Sequence, residues 1–171
     1  MRQKRRQLTD KQVHEDALQR AIKLLAAKPR SVAELRQRLL RGRQASTEEV
    51  ENAIERLKEY GYLNDERFAF GYAALRVQQR PLGRRLLKHD LKTRQVEQAV
   101  VEEALDLVFA ETSEEELIDR AIEKRVRLRG QPKSRAEAKG LFDYLLRRGF
   151  PFDLIVEKIR AVCSPELEEI E

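Results

Sequence analysis

Apolar side chains along this chain recur three and four positions apart with polar residues between them, and nowhere alternate at period two, which is the helical pattern. A first helix is predicted from about Thr9 to Ala27, with Leu18, Ala21, Ile22 and Leu25 on one stripe. Pro29 stops it, because proline disfavours helical geometry in the residue before it. Ser31 followed by Glu34 forms a capping box, hydroxyl and carboxylate reciprocally satisfying free amides at a helix start. The helix it opens carries Leu35, Leu39 and Leu40 and ends at Gly42. Thr47 caps a third, with Val50, Ile54 and Leu57, and Gly61 closes it as the residue after the C-cap.

The pattern then restarts. Asp65 caps a helix holding Phe68, Tyr72 and Leu75 that ends before Pro81. A short helix follows from Gly83 with Leu86, Leu87 and Leu91, and another from about Thr93 with Val96, Val100, Ala104 and Leu107. A third round opens at Ser113, with Glu116 completing a second capping box, and its helix holds Ile118, Ala121, Ile122 and Leu128. Ser134 opens a helix through Ala138, Phe142 and Leu145 that Gly149 closes. A last helix begins near Pro151, with Leu154, Ile155 and Ile159.

Ser31, Gly83 and Ser134 open the three middle helices at separations of 52 and 51 residues, and Leu25, Val77 and Leu128 each end the preceding helix six residues earlier. A three-helix unit of ~50 residues buries too little core to be robust alone, so neighbouring units are expected to pack end to end. The expected fold is all-α: three tandem three-helix repeats in an elongated, curved array. The divisions are a basic tail over 1–10, repeats over 11–63, 64–110 and 111–162, and an acidic tail over 163–171. Gly71 and Gly140, inside helices, are expected to mark close helix contacts.

Composition sharpens this. Charged residues make up 38% of the 171, well above the usual ~25%, and hydrophobic ones 41%. No apolar run approaches the ~20 residues that span a bilayer. The basic opening has no apolar stretch behind it, so it is not read as a secretory signal. Cys163 is the single cysteine, which excludes an internal disulfide and fits a reducing cytoplasm. The net charge of +5 is segregated: residues 76–94 hold seven basic side chains and one acid, 102–119 eight acids and no base, and 120–148 ten bases against three acids. Such blocks attract a charged polymer or a complementary protein face.

Catalytic chemistry is absent from the pattern. The glycines never fall in phosphate-loop or dinucleotide spacing. His14 and His89 are far apart with no further ligand at metal spacing, and Cys163 adjoins acids that oppose a thiolate. No enzyme activity, metal or cofactor is expected. The first round has the outline of a winged-helix DNA reader, whose third helix would enter the major groove. Residues 47–59, however, carry five acids against Arg56 and Lys58, and phosphates would repel such a helix. Asn64-Asp65 also starts a helix where a wing strand would lie.

The most individual string is Gly61-Tyr62-Leu63-Asn64-Asp65-x-x-Phe68-Ala69. It reads as a rigid joint: Gly61 left-handed, Tyr62 and Leu63 folded back onto the core, and Asp65 accepting amide hydrogen bonds from the next helix. This string resembles the signature of the RecX family of regulators of the RecA recombinase, as do Arg30-Ser31-x-x-Glu34-Leu35, Arg80-Pro81-Leu82-Gly83 and Arg148-Gly149-Phe150. The resemblance covers roughly residues 15–162. It implies tandem three-helix repeats and a protein that lodges in the groove of the RecA filament on single-stranded DNA, modulating its ATPase, strand-exchange and co-protease activities. Two glycines of the family pattern are missing: one beside Gly83, where Pro81-Leu82 stands, and one at Lys92-Thr93-Arg94.

The candidate contact residues for RecA or DNA are basic. Arg80, Arg84, Arg85, Lys88 and Lys92 lie near the side opposite Leu87 and Leu91, with Asp90 the only acid nearby in sequence. Arg120, Lys124 and Arg127 follow one helix face, with Glu116 and Glu123 each placed four residues before an arginine, so contact surface and self-neutralised face are both open. The reading is a monomeric, non-enzymatic regulator of the RecA–single-stranded DNA filament, inhibiting its activities and so regulating DNA repair and recombination. Any binding to single-stranded or duplex DNA would be weak and blind to sequence, and no membrane is involved. The alternative is a helix-turn-helix transcriptional regulator, which would instead prefer one duplex site.

Overall fold

The computed structural model describes residues 17–42 and 45–163. The basic tail, the start of the first helix, His14 and all of the acidic tail after Cys163 lie outside the described residues. Helix α1 is described over 17–27, followed by α2 (Val32–Arg41), α3 (Thr47–Glu59), α4 (Asp65–Gln79), α5 (Arg84–Thr93), α6 (Gln98–Glu111), α7 (Glu114–Arg129), α8 (Arg135–Arg147) and α9 (Phe152–Val162). There is no strand among the described residues. The fold is all-α, built from tandem three-helix repeats.

Caps set most helix starts. At Ser31 the complete capping box forms, and Ser46, one residue before the expected Thr47, forms another with Glu49. Ser113 and Ser134 each accept the amide three residues on. Only the serine half of the Ser113–Glu116 box is present. Asn64, rather than Asp65, caps α4 by accepting the Arg67 amide at 2.7 Å. Helix α6 starts at Gln98, later than expected, because Gln95 takes φ +57° and turns the chain between α5 and α6.

The chain divides into two compact units. Unit 1 comprises the described residues to Ala69 with Lys92–Val100; unit 2 comprises Phe70–Leu91 with the described residues from Val101. In unit 1 Leu35, Leu39, Val50, Ile54, Leu57 and Leu63 form one cluster with Leu18 and Ala21. In unit 2 Leu87, Leu105, Leu117, Ile118, Leu145, Phe150 and Ile155 are fully buried. The stripes hold except at their edges: Ile22, Leu40, Leu75, Leu107 and Leu128 are exposed. Gly71 and Gly140 mark no close contact, since a Cβ at either would meet nothing within 4 Å.

One joint recurs in each unit. In unit 1 the Ser31 hydroxyl donates to the Arg94 carbonyl at 2.6 Å, and Asp65 Oδ1 accepts the Val32 amide, the first of α2, at 2.8 Å. In unit 2 the Gly83 amide donates to the Arg148 carbonyl at 2.9 Å, and Glu114 Oε1 accepts the Arg84 amide, the first of α5, at 2.7 Å. Both times the opening of a middle helix meets the closing turn of the next repeat's middle helix. Both times the first residue of the next repeat's opening helix, Asp65 of α4 or Glu114 of α7, supplies the capping carboxylate. Free amides at a helix start need such partners when solvent is excluded. In unit 2 the approach is tight: a Cβ on Gly83 would collide with the Gly149 carbonyl and lie 2.5 Å from Phe150 N. Two of the sequence strings, Arg80–Gly83 and Arg148–Phe150, thus meet in space.

Candidate functional site

The family-like string is a helix exit. Helix α3 ends in a Schellman motif: the Gly61 amide donates to the Lys58 carbonyl at 2.9 Å and the Tyr62 amide to the Leu57 carbonyl at 2.9 Å, with Gly61 at φ +71°. Leu63 and Ala69 are buried and Phe68 is half-buried. Tyr62, expected to fold onto the core, instead projects outward at 73% exposure. Asp65 caps α2 across the joint instead of its own helix.

The basic cluster of the second round separates into two sets. Arg84 Nη2 pairs with Glu102 Oε2 at 3.0 Å and Asp106 Oδ1 at 2.7 Å, and Lys88 Nζ pairs with Glu102. Lys88 and Arg84 together hold the Glu102 carboxyl below its ordinary range. Burial opposes the charge of Arg84, but its bonds to Glu102 and Asp106 outweigh that and raise its pKa. Asp90, the acid nearest in sequence, is taken by α4, accepting from Tyr72 Oη at 3.0 Å and Arg76 Nη2 at 3.2 Å. Arg80, Arg85 and Lys92 are exposed, and their side chains make no ion pair among the described residues.

In unit 2 the third-round stripe lines a concavity of about 490 Å³: Arg120, Lys124 and Arg127 of α7 face Gln78, Gln79 and Pro81 at the end of α4. Glu123 also lines it, yet neither Glu123–Arg127 nor Glu116–Arg120 closes into an ion pair among the described residues. Behind α7, Arg125 and Arg148 stack on the Tyr144 ring at 4.9 and 4.6 Å from its centroid. That arrangement fixes two further cations by packing.

Sequence reasoning missed Glu102, Asp106 and Glu114 as partners, and Gln78 and Gln79 as the opposite wall. A signal existed for the first pair: Arg84 and Lys88 are four apart, and so are Glu102 and Asp106, two matched helical ladders. No group of three or more His, Cys, Asp or Glu among the described residues could hold a metal. No helix among them is long and apolar enough to cross a membrane.

Comparison with known proteins places this architecture. Residues 17–57 match the model of the RecX first three-helix domain, and residues 64–105 that of the second. A regulatory protein RecX from Syntrophotalea carbinolica is 32% identical over 137 residues, 79% of this chain and 88% of that one. The chain belongs to the RecX family. A RecX from Treponema pallidum is 42% identical over 110 residues, 64% of this chain and 66% of the relative. The crystal structure of RecX from Lactobacillus salivarius shares the fold, with a TM-score of 0.75 at 21% identity over 93% of this chain and 99% of that one. The Treponema and Syntrophotalea relatives carry "regulatory protein" in their names, and a regulatory role is what membership gives.

Proposed function

We propose that this RecX-family chain acts as a monomer in the cytoplasm, without catalysis of its own, by binding the RecA filament on single-stranded DNA. It inhibits the filament's ATPase, strand-exchange and co-protease activities, and thereby regulates DNA repair and recombination. The observation that carries the reading is the α7 face: Arg120, Lys124 and Arg127 line one concavity and are unpaired among the described residues. Arg80, Arg85 and Lys92 add exposed positive charge. Such a face suits acidic protein or phosphate and engages by long-range attraction that salt weakens. Contacts to successive filament subunits would gain by multivalency, because the second is intramolecular.

The transcriptional-regulator alternative is disfavoured by α3, whose outer side presents Glu48, Glu55 and Glu59. The Schellman turn after it leads into a helix and not a wing.

The test is RecA ATP hydrolysis on single-stranded DNA, titrated with this protein. Saturating wild type should suppress turnover. The triple variant Arg120→Glu, Lys124→Glu, Arg127→Glu should need at least tenfold more protein for the same effect. Unchanged turnover at saturating wild type overturns the reading. Full potency of the triple variant removes the α7 face from it. Reversing Arg84 or Lys88 would be a poorer test, since it sets like charge against Glu102 and Asp106.

A further inference from the structure

Tyr62 stands between two adjoining recesses of unit 1. On one side is an apolar notch of about 440 Å³ lined by Ile22, Leu25, Ala26, Leu57 and Tyr62. On the other is a recess of about 350 Å³ that shares Leu25 and Tyr62 and adds the guanidinium-bearing Arg30 and Arg67. Ile22 is 48% exposed at the rim of the notch. The two arginines hold local carbonyls weakly, Arg30 Nε to Leu24 O at 3.4 Å and Arg67 Nη1 to Gly61 O at 3.4 Å. Their remaining N–H groups have no carboxylate among the described residues.

The exposure of Tyr62 is anomalous by the chain's own standard. Helix α8 ends in the same Schellman motif: the Gly149 amide donates to Leu146 O and the Phe150 amide to Leu145 O. There the residue after the glycine, Phe150, is fully buried, as the motif's usual apolar contact requires. At the corresponding place after α3 an aromatic ring borders Leu57 and leaves most of its surface to solvent. Contiguous exposed apolar surface rimmed by charge marks protein contact sites, and tyrosine is enriched among the residues that dominate them.

We propose that the Tyr62 ridge is a docking site for a protein segment that presents an aliphatic side chain beside a carboxylate. The aliphatic group enters the notch against Ile22, Leu25 and Leu57. The carboxylate crosses Tyr62 and takes the free N–H groups of Arg30 and Arg67, in the paired geometry that guanidinium favours. Of the two recesses only the second has cations in its lining among the described residues, which fixes the direction of the segment and selects a protein over a nucleic acid, whose phosphates have no use for the notch. The proposal rests on the filament-binding reading above, with the segment belonging to the filament protein. It adds a contact in unit 1 separate from the α7 face.

The experiment is equilibrium binding of fluorescently labelled full-length chain to RecA filaments on single-stranded DNA, followed by anisotropy across salt concentrations. Tyr62→Ala and Ile22→Ser should each weaken binding about tenfold with the salt slope unchanged, and Arg67→Glu should weaken it and flatten the slope. Circular dichroism is the folding control, and Ile22→Ser serves alone if Tyr62→Ala loses helicity. Wild-type affinity in folded Ile22→Ser and Arg67→Glu overturns the docking site while leaving the functional reading intact. Absence of wild-type binding ends both.

Discussion

Replacing Gly149 by alanine tests the joint of unit 2 at its tightest point. Gly149 sits at φ +85°, and a Cβ there would overlap Leu86 N and Leu86 Cβ and come within 2.9 Å of Leu86 Cα. Most of those atoms belong to helix backbone and cannot rotate away. The left-handed conformation costs a non-glycine residue roughly 1–2 kcal/mol. Forcing a methyl into a packed contact costs about 1–3 kcal/mol more. The expected loss is therefore about 2–5 kcal/mol, a large share of a typical stability of ~5–15 kcal/mol. For a chain of this length that lowers Tm by roughly 4–20 °C. Thermal and urea unfolding followed by helical circular dichroism would measure it. Gly71→Ala is the matched control: it is helical with open space around it, so it should gain about 0.5–1 kcal/mol. Gly83→Ala, whose Cβ would strike the Gly149 carbonyl, should not add fully to Gly149→Ala, because one movement of the two segments apart relieves both clashes. A Gly149→Ala protein melting with the wild type would refute the close approach.

Three further outcomes follow from the caps and the ion pairs. Ser31→Ala removes both the Glu34 amide's acceptor and the bond to Arg94 O, and should cost about 1–3 kcal/mol in urea titration. Burial raises the Glu114 carboxyl, opposed by its bond from the Arg84 amide; its ionised form is thus the less stable one, and any stabilisation by protonation is lost as pH rises through the folded value. Glu114→Gln, which keeps an acceptor oxygen, should then be no less stable than wild type at neutral pH, whereas Glu114→Ala should lose about 0.5–2 kcal/mol as a cap is removed. Glu102 has the opposite sign: Lys88 and Arg84 hold it low, so its contribution is present at neutral pH and lost as pH falls through its folded value. Glu102→Gln should flatten the acid limb of a stability–pH profile, and an unaltered limb would count against the Arg84–Glu102–Lys88 cluster.

Helix positions, the three-round register and the closing glycines were legible in the sequence because they are local: periodicity, caps and left-handed turns act within four or five residues. The errors were local ambiguities resolved by the tertiary fold. Asp65 looks like a cap from its neighbours alone. Asn64 does that work, which releases the Asp65 carboxylate to hold the amide of Val32. Tyr62 looks like the apolar residue that seals a Schellman turn, but Leu63 fills the core position. Gly71 and Gly140 suggested close packing, and only the surroundings of each backbone show that neither position is crowded. The partners of Arg84 and Lys88 lay beyond local reading because they come from a different helix.

That last point decides which charges remain available to a partner. The basic block at 76–94 and the acidic block at 102–119 meet where Arg84 and Lys88 of α5 face Glu102 and Asp106 of α6, and there they neutralise each other. Among the described residues the block at 120–148 meets no comparable acidic ladder along α7, and Arg120, Lys124 and Arg127 line, without an ion pair, the concavity they share with Gln78 and Gln79. Charge segregation along the chain is therefore only the raw material, and helix packing sorts it into charges that hold the fold and charges that face outward. Exposed cations are screened over ~8 Å at physiological salt, whereas partly buried pairs are screened much less. Added salt should consequently weaken partner binding through α7 long before it loosens the α5–α6 pairs, so affinity and Tm should separate in a salt titration. A parallel decline of the two would place the α7 cations among the charges that hold the fold.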